Sequence, residues 1–215
     1  MALTADLFFS FRSPYSYLAV GRYRKLSQEF SVDIALRPVY PLAIREPDFF
    51  ERSHPNWLRY TMLDMFRVAQ FEGIPFGPPR PDPIVQDIAT RRISGDQPRI
   101  HRITRLGQAA ARRGKGLAFA AEAGRLIWGG ADKWHEGDHV AGAAQRAGLD
   151  LAELDAEVVR EAASLDADIA TNQQALEEGG HWGVPTLIFD GEPFFGQDRI
   201  AMAKWRMEQK GLAPR

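Results

Sequence analysis

The strand-forming sequence lies at the two ends of this chain, and what separates them is helical or broken by proline. A sheet must therefore be assembled from both termini around an inserted middle. At the N-terminal end, Leu3 to Phe11 carries Leu3, Leu7, Phe8, Phe9 and Phe11 and reads as a short buried strand. It breaks at Ser13-Pro14, where a helix start is predicted. Ser13 is a good N-cap, and Pro14 suits the first helical position because its missing N–H would have no intrahelical partner. Tyr15 to Glu29 sets Tyr17, Leu18, Val20, Tyr23 and Leu26 on one helical face, and Val32 to Leu36 alternates as a strand that stops at Pro38. Strand, helix, strand in this order predicts a parallel βαβ unit.

At the other end, Val184 to Phe189 is apolar and β-prone, Asp190-Gly191 is a hairpin turn signal, and Glu192 to Phe195 is the return strand. Gly196-Gln197-Asp198-Arg199 then leads into a last helix. In the middle, Asn56 to Glu72 reads helical with Leu58, Met62, Met65, Phe66 and Ala69 on one face. Five prolines between Ile74 and Pro83 predict a stiff exposed connection. From Ile84 to Gly180 the sequence is Ala-rich and helical, with no convincing strand. The expected architecture is one α/β domain from residues 1–40 and 176–215, with an all-helical domain, 41–175, inserted between its halves.

Composition narrows function by exclusion. The chain has no cysteine, so it can form no disulfide, thiolate zinc site, iron–sulfur cluster or Cys nucleophile. Any thiol chemistry must use a thiol that arrives from outside. Lys plus Arg is 27 against 28 for Asp plus Glu, so no global field favours nucleic acid or anionic lipid. No apolar run is long enough to span a bilayer, and Met1 to Asp6 has neither a basic nor an apolar leader region. A cytoplasmic protein without nucleic-acid or membrane partners is expected.

Three short segments are candidates for chemistry. Ser13-Pro14-Tyr15-Ser16-Tyr17-Leu18 delivers a hydroxyl onto the first turn of a helix, where free N–H groups favour an anion such as a thiolate; taken alone, Ser13 reads first as a helix cap. Gly183-Val184-Pro185-Thr186 places a proline just before a strand, which fits a strand start or a cis peptide that would turn the Val184 backbone toward an extended ligand. Asp198 either caps the last helix or binds a ligand ammonium group. Two louder signals are set aside. His135-Glu136-Gly137-Asp138-His139 has the form H-E-x-x-H, but Gly137 within it and Gly129-Gly130 upstream disfavour the continuous helix that a zinc site needs, so no metal is expected. Arg91-Arg92, Arg99, Arg102, Arg105, Arg112-Arg113 and Lys115 lack clustered aromatics and read as a solvated helix face.

Taken together, the three segments resemble the 2-hydroxychromene-2-carboxylate isomerase family, which belongs with kappa-class glutathione transferases and thioredoxin-like disulfide oxidoreductases. The resemblance runs through Ser-Pro-Tyr-Ser-Tyr-Leu, Gly183-Val184-Pro185-Thr186 and Asp190 to Arg199, with Tyr60, Asp64, Gly73-Ile74-Pro75 and Trp134 in the middle. It implies a thioredoxin-like domain with a helical insertion, a homodimer, and glutathione as cofactor. It also implies a catalytic Ser13, with Val184, Gln197, Asp198 and Asn172 binding the cofactor. The implied activity is isomerisation of an aromatic-degradation intermediate such as 2-hydroxychromene-2-carboxylate by reversible thiolate addition. A kappa-like glutathione transferase or peroxidase, or a non-catalytic glutathione or small-acid binding protein, would use the same segments. Two positions depart from the family: its lysine is Trp57 here, and its Asn-x-Pro is Ser53-His54-Pro55. Arg12, Arg45, Arg52 and Arg59 are the candidate compensating cations, and sequence does not choose among them.

Overall fold

The computed structural model describes residues 2–87, 90 and 92–215. The N-terminal unit is β1 (Leu3–Phe9), α1 (Pro14–Glu29) and β2 (Val32–Pro38). Strand β2 buries Val32, Ile34, Leu36 and Pro38 and exposes the residues between them, the period-two pattern of a strand with one wet face. It pairs parallel to β1 from Leu3↔Val32 to Phe9↔Pro38, as the βαβ reading requires. At the far end, β3 (Thr186–Phe189) pairs antiparallel to β1 and to β4 (Glu192–Phe195). Asp190 and Gly191 both take left-handed φ, 52° and 78°, which gives the turn a hand that matches the strand twist. The sheet order is β2-β1-β3-β4, so the N-terminal pair and the C-terminal hairpin lie side by side and meet where β1 pairs with β3. The last helix, α10 (Ile200–Glu208), packs on β3, β4 and α1.

Between β2 and β3 run the short helices α2 (Leu42–Arg45) and α3 (Phe49–Arg52), then α4 (Pro55–Glu72), α5 (Pro98–Arg112), α6 (Gly116–Trp128), α7 (His139–Arg146), α8 (Leu151–Arg160) and α9 (Ala162–Glu178). We propose the sequence-based division of the chain, 1–40 with 176–215 and 41–175, with α9 crossing its second boundary. Helix α6 packs on α1, and α5 packs on β2, so the helical segment and the sheet share one hydrophobic core. Among the described residues no helix is long and apolar enough to cross a membrane.

Three sequence expectations are corrected here. Helix α4 buries only Met65 and Ala69 fully, while Met62 and Phe66 of the expected apolar face are 49% and 40% exposed. The helix rests on the protein along a narrow stripe. The proline-rich connection is not simply exposed. Phe76 stacks on the Trp128 ring at 5.7 Å, Pro83 is buried, and the Pro75 carbonyl accepts from the Tyr17 hydroxyl at 2.6 Å. Aromatic packing compensates for a strap whose prolines have no N–H to donate. The basic stretch is not a solvated face either. Arg102 pairs with Asp155, Arg105 with Asp166, and Arg112 with Glu161 and Asp168, which clamps α5 to α8 and α9. Arg91, also assigned to that stretch, lies outside the described residues. The H-E-x-x-H segment is split: His135 lies in a turn and α7 begins only at His139, with Asp138 as its N-cap.

The sheet–helix seam is tight at Gly107 of α5. A Cβ there would lie 2.5 Å from the Phe11 ring. That ring is fully buried and held edge-on between Phe9 and Phe119, so it has nowhere to move. Gly107→Ala is therefore expected to destabilise the protein by about 1–3 kcal/mol despite the gain in helix propensity. Urea unfolding checks this, and an unchanged or raised midpoint would contradict the packing described.

Candidate functional site

Strand β1 ends at Phe9, and the chain turns through Ser10 to Arg12 into α1. The turn is held from several sides. The Trp128 indole donates to the Phe11 carbonyl at 3.0 Å, and the Ser13 N–H donates to the Ser10 carbonyl at 3.0 Å. Arg12 forms a two-pronged pair with Asp82 at 2.6 and 2.7 Å. Ser13 is the N-cap: its half-buried Oγ accepts from the Ser16 N–H at 3.2 Å. The same hydroxyl donates to the Val184 carbonyl at 3.3 Å, long for a bond of this type. Capping therefore uses an acceptor site of Ser13 and leaves its proton weakly held. The Tyr15 N–H in the first turn has no protein acceptor among the described residues. That open donor and the helix dipole make the position favourable to an anion.

The Val184–Pro185 bond is cis, as the sequence suggested. The residues around it are fastened by their own side chains. His181 Nδ1 accepts from the Gly183 N–H at 2.8 Å, and the Thr186 hydroxyl donates to the Gly183 carbonyl at 2.7 Å. Val184 keeps an N–H with no protein acceptor among the described residues. The Gly196 N–H donates to the Pro185 carbonyl at 2.9 Å, which brings the segment Gly196–Arg199 beside the cis bond.

Asp198 does not cap α10, whose N-cap is Arg199 with no side-chain bond. The Asp198 carboxylate is exposed, with the adjacent Arg199 at 2.7 Å its only partner among the described residues, and such surface pairs are weak. Its charge also reaches α1. The Tyr15 hydroxyl is raised well above the ordinary phenol value by burial first, then by its 2.7 Å bond to Asp64, with Asp198 adding a smaller push. Gln197 is anchored: Arg22 Nη1 donates to both its carbonyl and its Oε1, at 3.0 and 2.9 Å.

Ser13, Val184 and, through Pro185, the Gln197-Asp198 segment are thus brought together. Asn172 is not. It is buried on α9, where its amide donates to the Pro38 carbonyl and to Gln108, each at 3.0 Å. It lines a different groove of about 1190 Å³, together with Asp6, Arg37 and Asp168. A family correspondence on a helix gives no direction for the side chain, and here packing directs it to the end of β2.

Sequence reasoning did not assign an aromatic wall. The Phe49 ring lies 5.3 to 5.6 Å from Phe50, Trp57 and Trp182, and His181 stacks between Trp182 and Phe195. The wall runs from α3 and α4 to β4 past Val184, and Trp57, Trp182 and Phe195 each keep more than 40% of their surface in solvent. The departure at Trp57 was its one visible signal. Of the four candidate cations, Arg45 lies against this wall: it donates to the Tyr40 and Trp182 carbonyls at 2.8 and 2.9 Å.

The comparisons with known proteins agree with this geometry. The model for the DSBA-like thioredoxin domain matches residues 4–208. The chain belongs to that family. Among solved structures, this DSBA-like chain is similar to a 2-hydroxychromene-2-carboxylate isomerase with a TM-score of 0.70 at 23% identity, covering 96% of this chain and 95% of that one. It is also similar to a probable DsbA oxidoreductase from Streptomyces coelicolor, at 0.66 and 17%, covering 96% and 89%. The cytosolic disulfide reductase DsbM from Pseudomonas aeruginosa follows at 0.65 and 19%, covering 96% and 100%, and its structure with GSH is similar as well. No curated protein matches the sequence. At these identities the likeness establishes the thioredoxin-like fold with its helical insertion.

Burial lowers the His181 pKa below the ordinary imidazole value. Above about pH 6.5 the ring is neutral in both folded and unfolded chains, and its bond from Gly183 is intact. As pH falls through the depressed folded value, the unfolded chain takes up the proton first and stability is lost. His181→Asn keeps an acceptor two residues before the Gly183 N–H but cannot titrate. Its urea midpoint should fall less than that of the wild type between pH 7 and 5; equal slopes would place His181 outside the titrating set.

Proposed function

We propose that this protein is a glutathione-dependent isomerase of an aromatic-degradation intermediate such as 2-hydroxychromene-2-carboxylate. The observation that carries the reading is the convergence of a helix-capping Ser13, the open Tyr15 N–H and the open Val184 N–H in a chain with no thiol of its own. Several solved structures similar to this one are named for disulfide chemistry, but a chain without cysteine has no dithiol to exchange. A borrowed thiol is compatible with the same fold, and the similarity to DsbM, also solved with GSH, supports glutathione as its source.

The residues fit such a tripeptide. Val184 offers its backbone as an edge for an extended chain. Asp198 offers to an α-ammonium group an exposed carboxylate held by a weak surface pair with Arg199, and Gln197, fixed by Arg22, frames the same end. Ser13 turns its weakly held proton toward a bound sulfur, and with the Tyr15 N–H holds negative charge at the helix N-terminus, the arrangement that depresses thiol pKa values. When bound, glutathione supplies a sulfur that adds to a conjugated alkene carbon and is expelled after rotation about that bond, so substrate and product have the same atoms. The exposed aromatic wall of Trp57, Phe49 and Trp182 offers stacking surfaces for an aromatic acid. Action as a homodimer in the cytoplasm belongs to this reading.

Two variants test it. Ser13→Ala should fold, losing about 1 kcal/mol as a cap, yet lose about 10²-fold in glutathione-dependent turnover. Unchanged turnover would remove Ser13 from the chemistry. Asp198→Asn should weaken glutathione binding by about one to two orders of magnitude, with a smaller loss of turnover at saturating cofactor. Titration calorimetry reads the affinity directly, and an unaltered Kd would mean the tripeptide lies elsewhere. Mass analysis of the product separates an isomer from a conjugate.

A further inference from the structure

Arg45 at the C-terminal end of α2 is a half-buried cation without a counter-charge. No carboxylate lies within 4.0 Å of it among the described residues, and Glu177 and Glu46 act on it only at a distance. Burial pushes its pKa down from the ordinary arginine value. The other arginines around the site are accounted for: Arg12 is bound by Asp82, Arg22 by Glu72 and Gln197, and Arg52 approaches Glu46. Arg59 is on the exposed surface of α4. Two carbonyls, those of Tyr40 and Trp182, receive Nε and Nη2 of Arg45 and fix the plane of the guanidinium. Nη1 has no acceptor among the described residues and is not fully buried. A guanidinium that is oriented, partly desolvated and unpaired is suited to a carboxylate.

Its position says where that carboxylate lies. Trp182, whose carbonyl Arg45 binds, is two residues before Val184. On the other side of Val184, Pro185 is bonded to Gly196, next to Asp198. The Val184 edge is thus flanked by a cation toward one end and an anion toward the other. An extended tripeptide along Val184 would lie with its ammonium end at Asp198 and its carboxylate end at Arg45. The carboxylate of an aromatic acid stacked against Trp182 and Phe49 would reach the same guanidinium.

We propose that Arg45 is the carboxylate-binding residue of this site and fixes the direction in which a ligand lies along Val184. The inference rests on the glutathione reading for its first ligand source, but not for its second. The test is calorimetry on the full chain with three probes: reduced glutathione, its glycine monoethyl ester, and salicylate as an aromatic carboxylate. Wild type, Arg45→Gln and Arg45→Lys are compared, with folding checked by circular dichroism. If glutathione supplies the carboxylate, the ester binds wild type about 10- to 100-fold more weakly than the acid. Arg45→Gln then erases that difference and Arg45→Lys retains part of it. If the aromatic acid supplies it, ester and acid bind alike, and salicylate binding falls by a similar factor in Arg45→Gln. A folded Arg45→Gln that binds all three probes as wild type does overturns the proposal. Should Arg45→Gln not fold, the wild-type ester comparison and Arg45→Lys decide, and equal affinities throughout overturn it. Wild type that binds salicylate through Arg45 but not glutathione refutes the glutathione reading alone, and wild type that binds no probe refutes both.

Discussion

Everything at the candidate site depends on where the first strand hands over to the first helix. That handover is a mechanical problem, because a strand end and a helix start both leave backbone groups unpaired. Here the helical segment solves it from outside the βαβ unit. The Trp128 indole takes the Phe11 carbonyl, Gly107 lets the Phe11 ring press flat against α5, and Asp82 of the proline-rich strap holds Arg12. Ser13 is placed by contacts with residues 69 to 115 positions away in sequence. The sheet alone would leave that turn much freer.

The same strap explains why an apparently polar, proline-broken connection is ordered. Phe76 stacks on Trp128 and near Tyr17 and Phe66, and the Trp134 indole donates to the Pro81 carbonyl at 2.8 Å. Prolines reduce the entropy lost on ordering the segment, and the aromatic contacts supply the attraction. On the far side, arginines of α5 reach acids of α8 and α9, so the helices are held together by charge as well as by apolar packing. Several of these pairs share partners, which makes them a network and not isolated surface bridges.

Much of this was legible in the sequence where local physics dominates. Ser13-Pro14 marked the start of α1, Val32 to Pro38 announced itself by alternation, and Asp190-Gly191 specified the hairpin. These signals are local and survive folding unchanged. What failed was local pattern read without its tertiary partner. The periodic face of α4 looked like core, yet the fold places only its Met65 and Ala69 inside. The arginines of α5 looked solvated because their acids lie 45 to 61 residues later. At the candidate site, Ser13, Val184 and Asp198 were visible because they fall in compact motifs. Asn172 was misdirected because a helix position does not tell which neighbour an amide will meet. Arg45 was one of four equivalent cations until Arg12 and Arg52 were found beside Asp82 and Glu46 and Arg59 on the exposed surface of α4.

The site draws on two separate stretches of chain. The hydroxyl, the cis-proline loop and the acidic turn come from the two termini that form the sheet, whereas Arg45, Phe49 and Trp57 come from α2, α3 and the start of α4. Helices α2 and α3 are single turns with few buried residues, and only a narrow stripe of α4 is enclosed. Changes there disturb little of the core. Substitutions in these poorly buried turns would reshape one wall of the candidate site while leaving the sheet that carries the Ser13 turn unchanged.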